Sequence, residues 1–173
     1  MKPATPSISS PLHILYRPAT SKDINHIAGN MREIDLDYLR EVHGAALDMR
    51  KLLKTSVEIS PGAQTRVDAS TGEPLAIRGI SPVKRRTGRG IVWAIGAQAT
   101  YQPNRLREYV SEGRQYLQEM LKRYCLLENY INARNDGGIR FLESIGLTVH
   151  PPTIYGLHGV PFRHFTIERR TLH

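Results

Sequence analysis

Apolar positions along this chain come in short blocks whose period changes from two to three or four and back. His13-Ile14-Leu15-Tyr16-Arg17 reads as a first strand, ended by Pro18. Thr20 is then a helix N-cap, with Asp23 three residues on completing an acidic variant of the capping box. Ile24, Ile27, Ala28, Met31 and Ile34 recur at helical spacing, which predicts one helix with one buried face, broken from the next at Gly44. Ala45, Ala46, Met49, Leu52 and Leu53 give the second helix its apolar face, and Pro61-Gly62 closes it. Gln64 to Asp68 and Leu75 to Ile80 flank a glycine-containing turn and read as a hairpin. Ser81 to Gly90 is a polar, basic loop. Ile91 to Ile95 is a continuous apolar run, expected to be a strand buried on both faces.

Pro103 and Asn104 lead into a helix whose inward side carries Leu106, Tyr109, Val110, Tyr116, Leu117, Met120 and Leu121. Cys125 to Asn132 is the next strand. After a turn at Ala133-Arg134-Asn135-Asp136, Ile139, Phe141, Leu142 and Ile145 form a short helical stripe that Gly146 ends. Thr148-Val149 and Val160 to Glu168 are the last strands, on either side of a Pro- and Gly-rich connection. The order β, α, α, β, β, β, α, β, α, β, β describes an α/β fold with a mixed sheet flanked by helices.

Composition narrows this picture. The chain has 173 residues, 40% apolar and 23% charged, which fits one soluble domain with a sizeable core. The expected organisation is a flexible arm over residues 1–12, a domain over 13–170, and a tail over 171–173. No apolar run approaches the roughly 20 residues that span a bilayer, so no membrane partner is expected. Met1 to Pro11 lacks a signal-peptide core, which implies synthesis in the cytoplasm. The single cysteine, Cys125, excludes an intrachain disulfide and a cysteine metal cluster, and its place in an apolar strand predicts a small core residue. The seven histidines are scattered without zinc spacing, so no metal is expected. A formal charge of +8 favours anionic partners without choosing among them.

The order of elements resembles that of the N-acetyltransferase (GNAT) superfamily. Arg17-Pro18-Ala19-Thr20-Ser21-Lys22-Asp23-Ile24 is similar to its start. Asn135, Phe141 and Ile145-Gly146-Leu147 are similar to a unit near its end. A narrower resemblance is to the acetyltransferase-like "gene-thirteen protein" family of short-tailed bacteriophages. It is carried by Tyr16-Arg17-Pro18-Ala19, His26-Ile27-Ala28 with Asn30-Met31-Arg32, Leu127-Glu128-Asn129-Tyr130, Ala133-Arg134-Asn135, and Gly159-Val160-Pro161-Phe162-Arg163-His164-Phe165. These pieces span residues 13 to 169. The resemblance implies a single GNAT-like domain with a mixed, mostly antiparallel sheet and a role in virion assembly.

An active enzyme of that superfamily has three needs. Backbone amides of a glycine-rich turn hold the coenzyme A pyrophosphate at a helix N-terminus. Here the matching segment, Gly96 to Arg107, has no glycine after Gly96; Arg105, Arg107 and Asn135 are the cofactor-binding candidates if coenzyme A binds at all. A carboxylate on or beside the central strand often takes the amine proton, but Ile91 to Gln98 carries no acid and no histidine. A tyrosine on the last short helix commonly protonates the thiolate. The matching residue is Leu142, with Tyr155 a few residues later as the possible substitute.

Two further segments offer contacts. Lys84-Arg85-Arg86, with Arg89, is the densest basic cluster, suited to DNA phosphates or an acidic protein face. Pro151 to Phe162 is stiff, apolar and aromatic, with Tyr155 and Phe162 the candidates for protein docking. The sequence therefore leads to a non-catalytic, acetyltransferase-like structural or assembly protein of a tailed-phage virion, in the head–tail region or internal core. It would contact other virion proteins in a multi-copy assembly, with DNA a possible partner through the basic loop, and take no cofactor. The alternatives are an active acetyl-CoA-dependent N-acetyltransferase and a basic nucleic-acid-binding module.

Overall fold

The computed structural model describes residues 13–169; the expected arm and tail lie outside the described residues. Strand β1 (Ile14–Pro18) leads into helices α1 (Ser21–Gly29), α2 (Glu33–His43) and α3 (Met49–Glu58). Strands β2 (Gln64–Asp68), β3 (Glu73–Pro82) and β4 (Arg89–Gly96) follow, then the long helix α4 (Pro103–Met120). Strand β5 (Leu126–Asn132), helix α5 (Asp136–Ser144), and strands β6 (Thr148–Ile154) and β7 (Pro161–Glu168) complete the domain. The seven strands form one sheet in the order β1-β2-β3-β4-β5-β7-β6. Every neighbouring pair is antiparallel except β4 and β5. The mixed, mostly antiparallel sheet flanked by helices is thus as expected.

Each face of the sheet has its own core. Ile24, Ile27, Met49 and Leu53 pack with Ile77 under α1 and α3, joined by Trp93 and Ile95. Leu117 of α4 packs with Ile80, Leu127, Phe165 and Ile145 on the other face, joined by Val92 and Leu142. The alternation of β4 between these cores follows from the two-residue period of a strand. The capping box at the start of α1 is present, with Thr20 and Asp23 exchanging hydrogen bonds. Gly146, at φ 102°, turns the chain out of α5.

Several local expectations are corrected. The single helix expected before Gly44 is two. Its break falls at Asn30, whose carbonyl accepts the Gln98 amide and whose side chain donates back to the His26 carbonyl; Ile34, expected on the buried face, is 49% exposed. The strand β4 is not buried on both faces, because Ala94 is exposed. The basic loop is shorter than expected, since β3 runs to Pro82 and β4 starts at Arg89. Pro151 and Pro152 are not a connection but part of β6, at an edge and at a break in its register with β7, where a missing N–H is tolerated. Cys125 is exposed, one residue before β5, rather than in the core.

Candidate functional site

The parallel pair β4–β5 places the site. Its register covers only Arg89 with Leu126, Gly90 with Leu127 and Ile91 with Glu128. Asn129 extends the union by one step, its side-chain amide donating to the Val92 carbonyl at 3.0 Å. Beyond that point β4 runs on to Gly96 and β5 to Asn132 without pairing, so the two strands part towards their C-terminal ends. A crevice at the C-terminal ends of parallel strands is where α/β sheets place ligands.

On the β4 side of this opening, Gln98–Tyr101 forms a turn of 3-10 helix before α4. Three amides at this turn are already committed. Ala97 N–H donates to the Leu75 carbonyl at 2.8 Å, Gln98 N–H to the Asn30 carbonyl at 2.8 Å, and Thr100 N–H to the Ala97 carbonyl at 3.0 Å. The Thr100 hydroxyl also donates to the Leu75 carbonyl. Pro103, at the start of α4, has no N–H. Tyr101 lies with its ring 3.4 Å below the Arg32 guanidinium, and burial pushes its phenol far above the usual range. These three amides are not free for a diphosphate, which needs several free amides converging on it. An open cavity of about 770 Å³ beside the turn is lined by Asn30, Arg32, Gln98 and Tyr101 among others.

On the β5 side, Asn132 and Arg134 both hydrogen-bond Glu41 of α2. A second open cavity, about 500 Å³, lies between α2 and the β6–β7 connection, lined by Ile34, Tyr38, Leu157 and Val160 with Asp37 and Arg134.

The sequence candidates fall in different places. Arg105 binds Asp68 at 2.9 Å and Glu73 at 3.2 Å and is mostly buried, so it joins α4 to the β2–β3 turn instead of facing a ligand. Arg107 is exposed on α4. Asn135 caps α5, accepting the Gly138 amide at 2.9 Å. Leu142 is half-buried and packs against the core under α4. Tyr155 is 49% exposed, its ring stacked on Tyr130 at 3.9 Å. Phe162 is not available for docking: it is 3% exposed and lies under Tyr155 and Gly156, where it anchors the β6–β7 connection. Lys84, Arg85 and Arg86 are exposed at the tip of the β3–β4 loop. Arg89 is separate from them, held by Glu128 at 2.6 Å.

Sequence reading missed the cluster around Glu128. One carboxylate oxygen takes Arg89 and the other meets His164 Nε2 at 3.0 Å. His164 also lies beside Tyr130 and His150. Glu128, Tyr130, His164 and Thr166 sit on one face of β5 and β7, and their shared parity was the available signal. It was invisible without the β5–β7 register that sets Glu128 opposite Thr166 and Tyr130 opposite His164.

No family model and no curated protein matches the chain. Solved structures do. An acetyltransferase of the GNAT family from Bacillus anthracis is similar at 11% identity, with a TM-score of 0.67, covering 90% of this chain and 95% of that one. Ard1 from Thermoplasma volcanium is similar at 11% identity and a TM-score of 0.66, covering 91% and 99%. Spermidine N-acetyltransferase from Vibrio cholerae, solved with CoA and spermine, is similar at 12% identity and 0.65, covering 90% and 95%. At these identities the likeness is one of backbone architecture: the chain is a single α/β domain with the GNAT acetyltransferase fold.

Proposed function

We propose that this chain keeps the acetyltransferase fold without the reaction, and serves as a structural or assembly component of a tailed-phage particle, in the head–tail region or internal core. The observation that carries the non-catalytic reading is the β4–α4 turn. The amides of Ala97, Gln98 and Thr100 are bound inside the protein, and freeing them would unpick the contacts that hold α1 and β3 to the turn. A leucine at 142, half-buried against the core, and a β4 without carboxylate or imidazole support the same reading. A fold by itself assigns no chemistry. The phage setting is supported by the sequence resemblance, through Tyr16-Arg17-Pro18-Ala19, Leu127-Glu128-Asn129-Tyr130 and Gly159-Val160-Pro161-Phe162. Contact with neighbouring proteins is supported by the exposed Ile154, Tyr155 and Leu157, at 73%, 49% and 44%.

Titration calorimetry with acetyl-coenzyme A separates this reading from the enzyme. No binding is expected at high micromolar cofactor; saturable binding with turnover of an amine would overturn it. Quantitative mass spectrometry of purified phage particles and their assembly intermediates is expected to find the chain at a fixed copy number in at least one of them. Its absence from all would remove the assembly role.

A further inference from the structure

The end of the sheet opposite the crevice is strongly basic. The β3–β4 loop places Lys84, Arg85 and Arg86 there. The Gly88 carbonyl accepts the amides of Cys125 and Leu126 at 2.6 and 3.2 Å, which ties this loop to the segment leaving α4. That segment brings Lys122 and Arg123, both exposed. Arg169, after β7, donates its amide to the Cys125 carbonyl at 2.8 Å and its guanidinium to the carbonyls of Leu121 and Lys122. Three stretches far apart in sequence thus put six cations around the Gly88–Cys125 seam. Among the described residues, Glu119, on Lys122 at 2.5 Å, and Glu168 are carboxylates next to them in the chain. The Lys122–Glu119 pair is open to solvent on both sides, so it restrains Lys122 weakly.

The loop backbone points the same way. Val83 to Arg86 closes a turn through the Arg86 amide and the Val83 carbonyl, and Arg86 to Arg89 closes the next. The third residue of the second turn is Gly88, at φ 81°, as such a turn prefers. The third residue of the first is Arg85, at φ 66°. A long side chain in a left-handed conformation is strained, and strain retained at an exposed position points to use. It sets a guanidinium at the outermost point of the pole.

We infer that this pole binds the phosphate backbone of double-stranded nucleic acid without reading its sequence. A docked acidic protein would need an apolar anchor at the centre of its footprint. The large exposed apolar side chains among the described residues, Leu15, Ile34, Ile59, Tyr130, Ile154, Tyr155 and Leu157, all lie on other segments. Exposed cations without an apolar centre suit phosphate contacts, which gain from counterion release. The pole sits at the Leu126 end of β5, where Glu168 is the β7 partner; the β6–β7 connection sits at the Asn132 end, opposite Phe162. The two surfaces are therefore separate, and the domain can hold a protein at one end and a nucleic acid at the other.

The test is fluorescence anisotropy of two unrelated 20-base-pair duplexes with the full chain from 50 to 200 mM salt. Both duplexes are expected to bind equally, with a slope of log K against log salt of about −3 to −5, near −0.9 per phosphate neutralised. K84Q/R85G/R86Q should reduce that slope by about 2 to 3, and K122Q/R123Q by about 1 to 2. R50Q/K51Q, on α3, should leave it unchanged. Arg85→Gly alone relieves the strained φ as it removes a charge, so melting temperature should hold or rise while the slope falls by about 1. Cys125, the single cysteine, sits exposed in the seam, and saturating duplex should slow its alkylation several-fold. Unchanged slopes in both the loop variant and the Lys122/Arg123 variant, unprotected Cys125 at saturation, or equal affinity for poly-glutamate would each overturn the inference.

Discussion

At the scale of single residues, Asp23 shows how little of a charge's behaviour follows from its type. Its side chain is 1% exposed. Burial alone would push its carboxyl up, but hydrogen bonds from Arg17, from the Thr20 amide and hydroxyl, and from Thr65 outweigh burial and hold it at about 2. The folded value lies below the ordinary 3.8, so the stabilisation is fully present above pH 4 and is lost as pH falls through about 2. The loss is on the order of 2 kcal/mol. Urea unfolding of the native chain should show this acid limb, and Asp23→Asn should flatten it while costing stability at neutral pH. Parallel profiles for the two proteins between pH 5 and 2 would refute the assignment. Arg66 is the second case. It is 1% exposed and paired with Glu112 through two hydrogen bonds, with Tyr16 donating to the same carboxylate. Its position in a five-residue strand of mostly polar residues suggested none of this, because the partner is 46 residues away.

At the scale of elements, β3 and β4 are fitted to each other through the residue pair Gly79 and Trp93, which face across the ladder. A β-carbon on Gly79 would lie 2.8 Å from Trp93 Cζ2 and 3.0 Å from Ser60 Cβ. It would displace the ring and the 2.9 Å hydrogen bond from its Nε1 to Ser60 Oγ. Gly79→Ala should therefore cost about 1 to 3 kcal/mol. Trp93 is the single tryptophan, so its emission should shift to the red as the ring loses cover; native-like emission and stability would show that the ring has room. The strands and helix ends written in local chemistry were legible. The Thr20–Asp23 capping box, the Pro103 start of α4 and the Gly146 exit from α5 are examples. What was not legible depends on partners distant in the chain. Asn30 stops α1 with the help of Gln98, and Pro151-Pro152 becomes strand only because β7 lies beside it. The candidate site divides the same way. The missing glycines of the β4–α4 turn could be read directly, whereas the Glu128–His164 contact, the burial of Phe162 and the recruitment of Arg169 to the basic pole required the sheet order.

At the scale of the molecule, one sheet separates two cores with no buried residue in common. Leu53 anchors the core under α1 and α3 at 1% exposed, and Leu127 anchors the core under α4 and α5 at 0%. Each Leu→Ala change removes a fully buried side chain and should cost about 2 to 5 kcal/mol. The two leucines belong to cores on opposite faces of the sheet with no shared partners, and changes at such separated sites add. The L53A/L127A double variant should thus lose the sum of the single losses to within about 0.5 kcal/mol. Additivity does not mean independence of unfolding. The strands β3 and β4 contribute Ile77 and Trp93 to one core, Ile80 and Val92 to the other, so neither core can open without loosening the backbone of both. Urea transitions followed by far-ultraviolet circular dichroism and by Trp93 emission should coincide in the native chain and in each single variant. A Leu127→Ala protein whose backbone signal melts before its Trp93 signal would show two cooperative units. A coupling energy well above 1 kcal/mol would show that strain crosses the sheet.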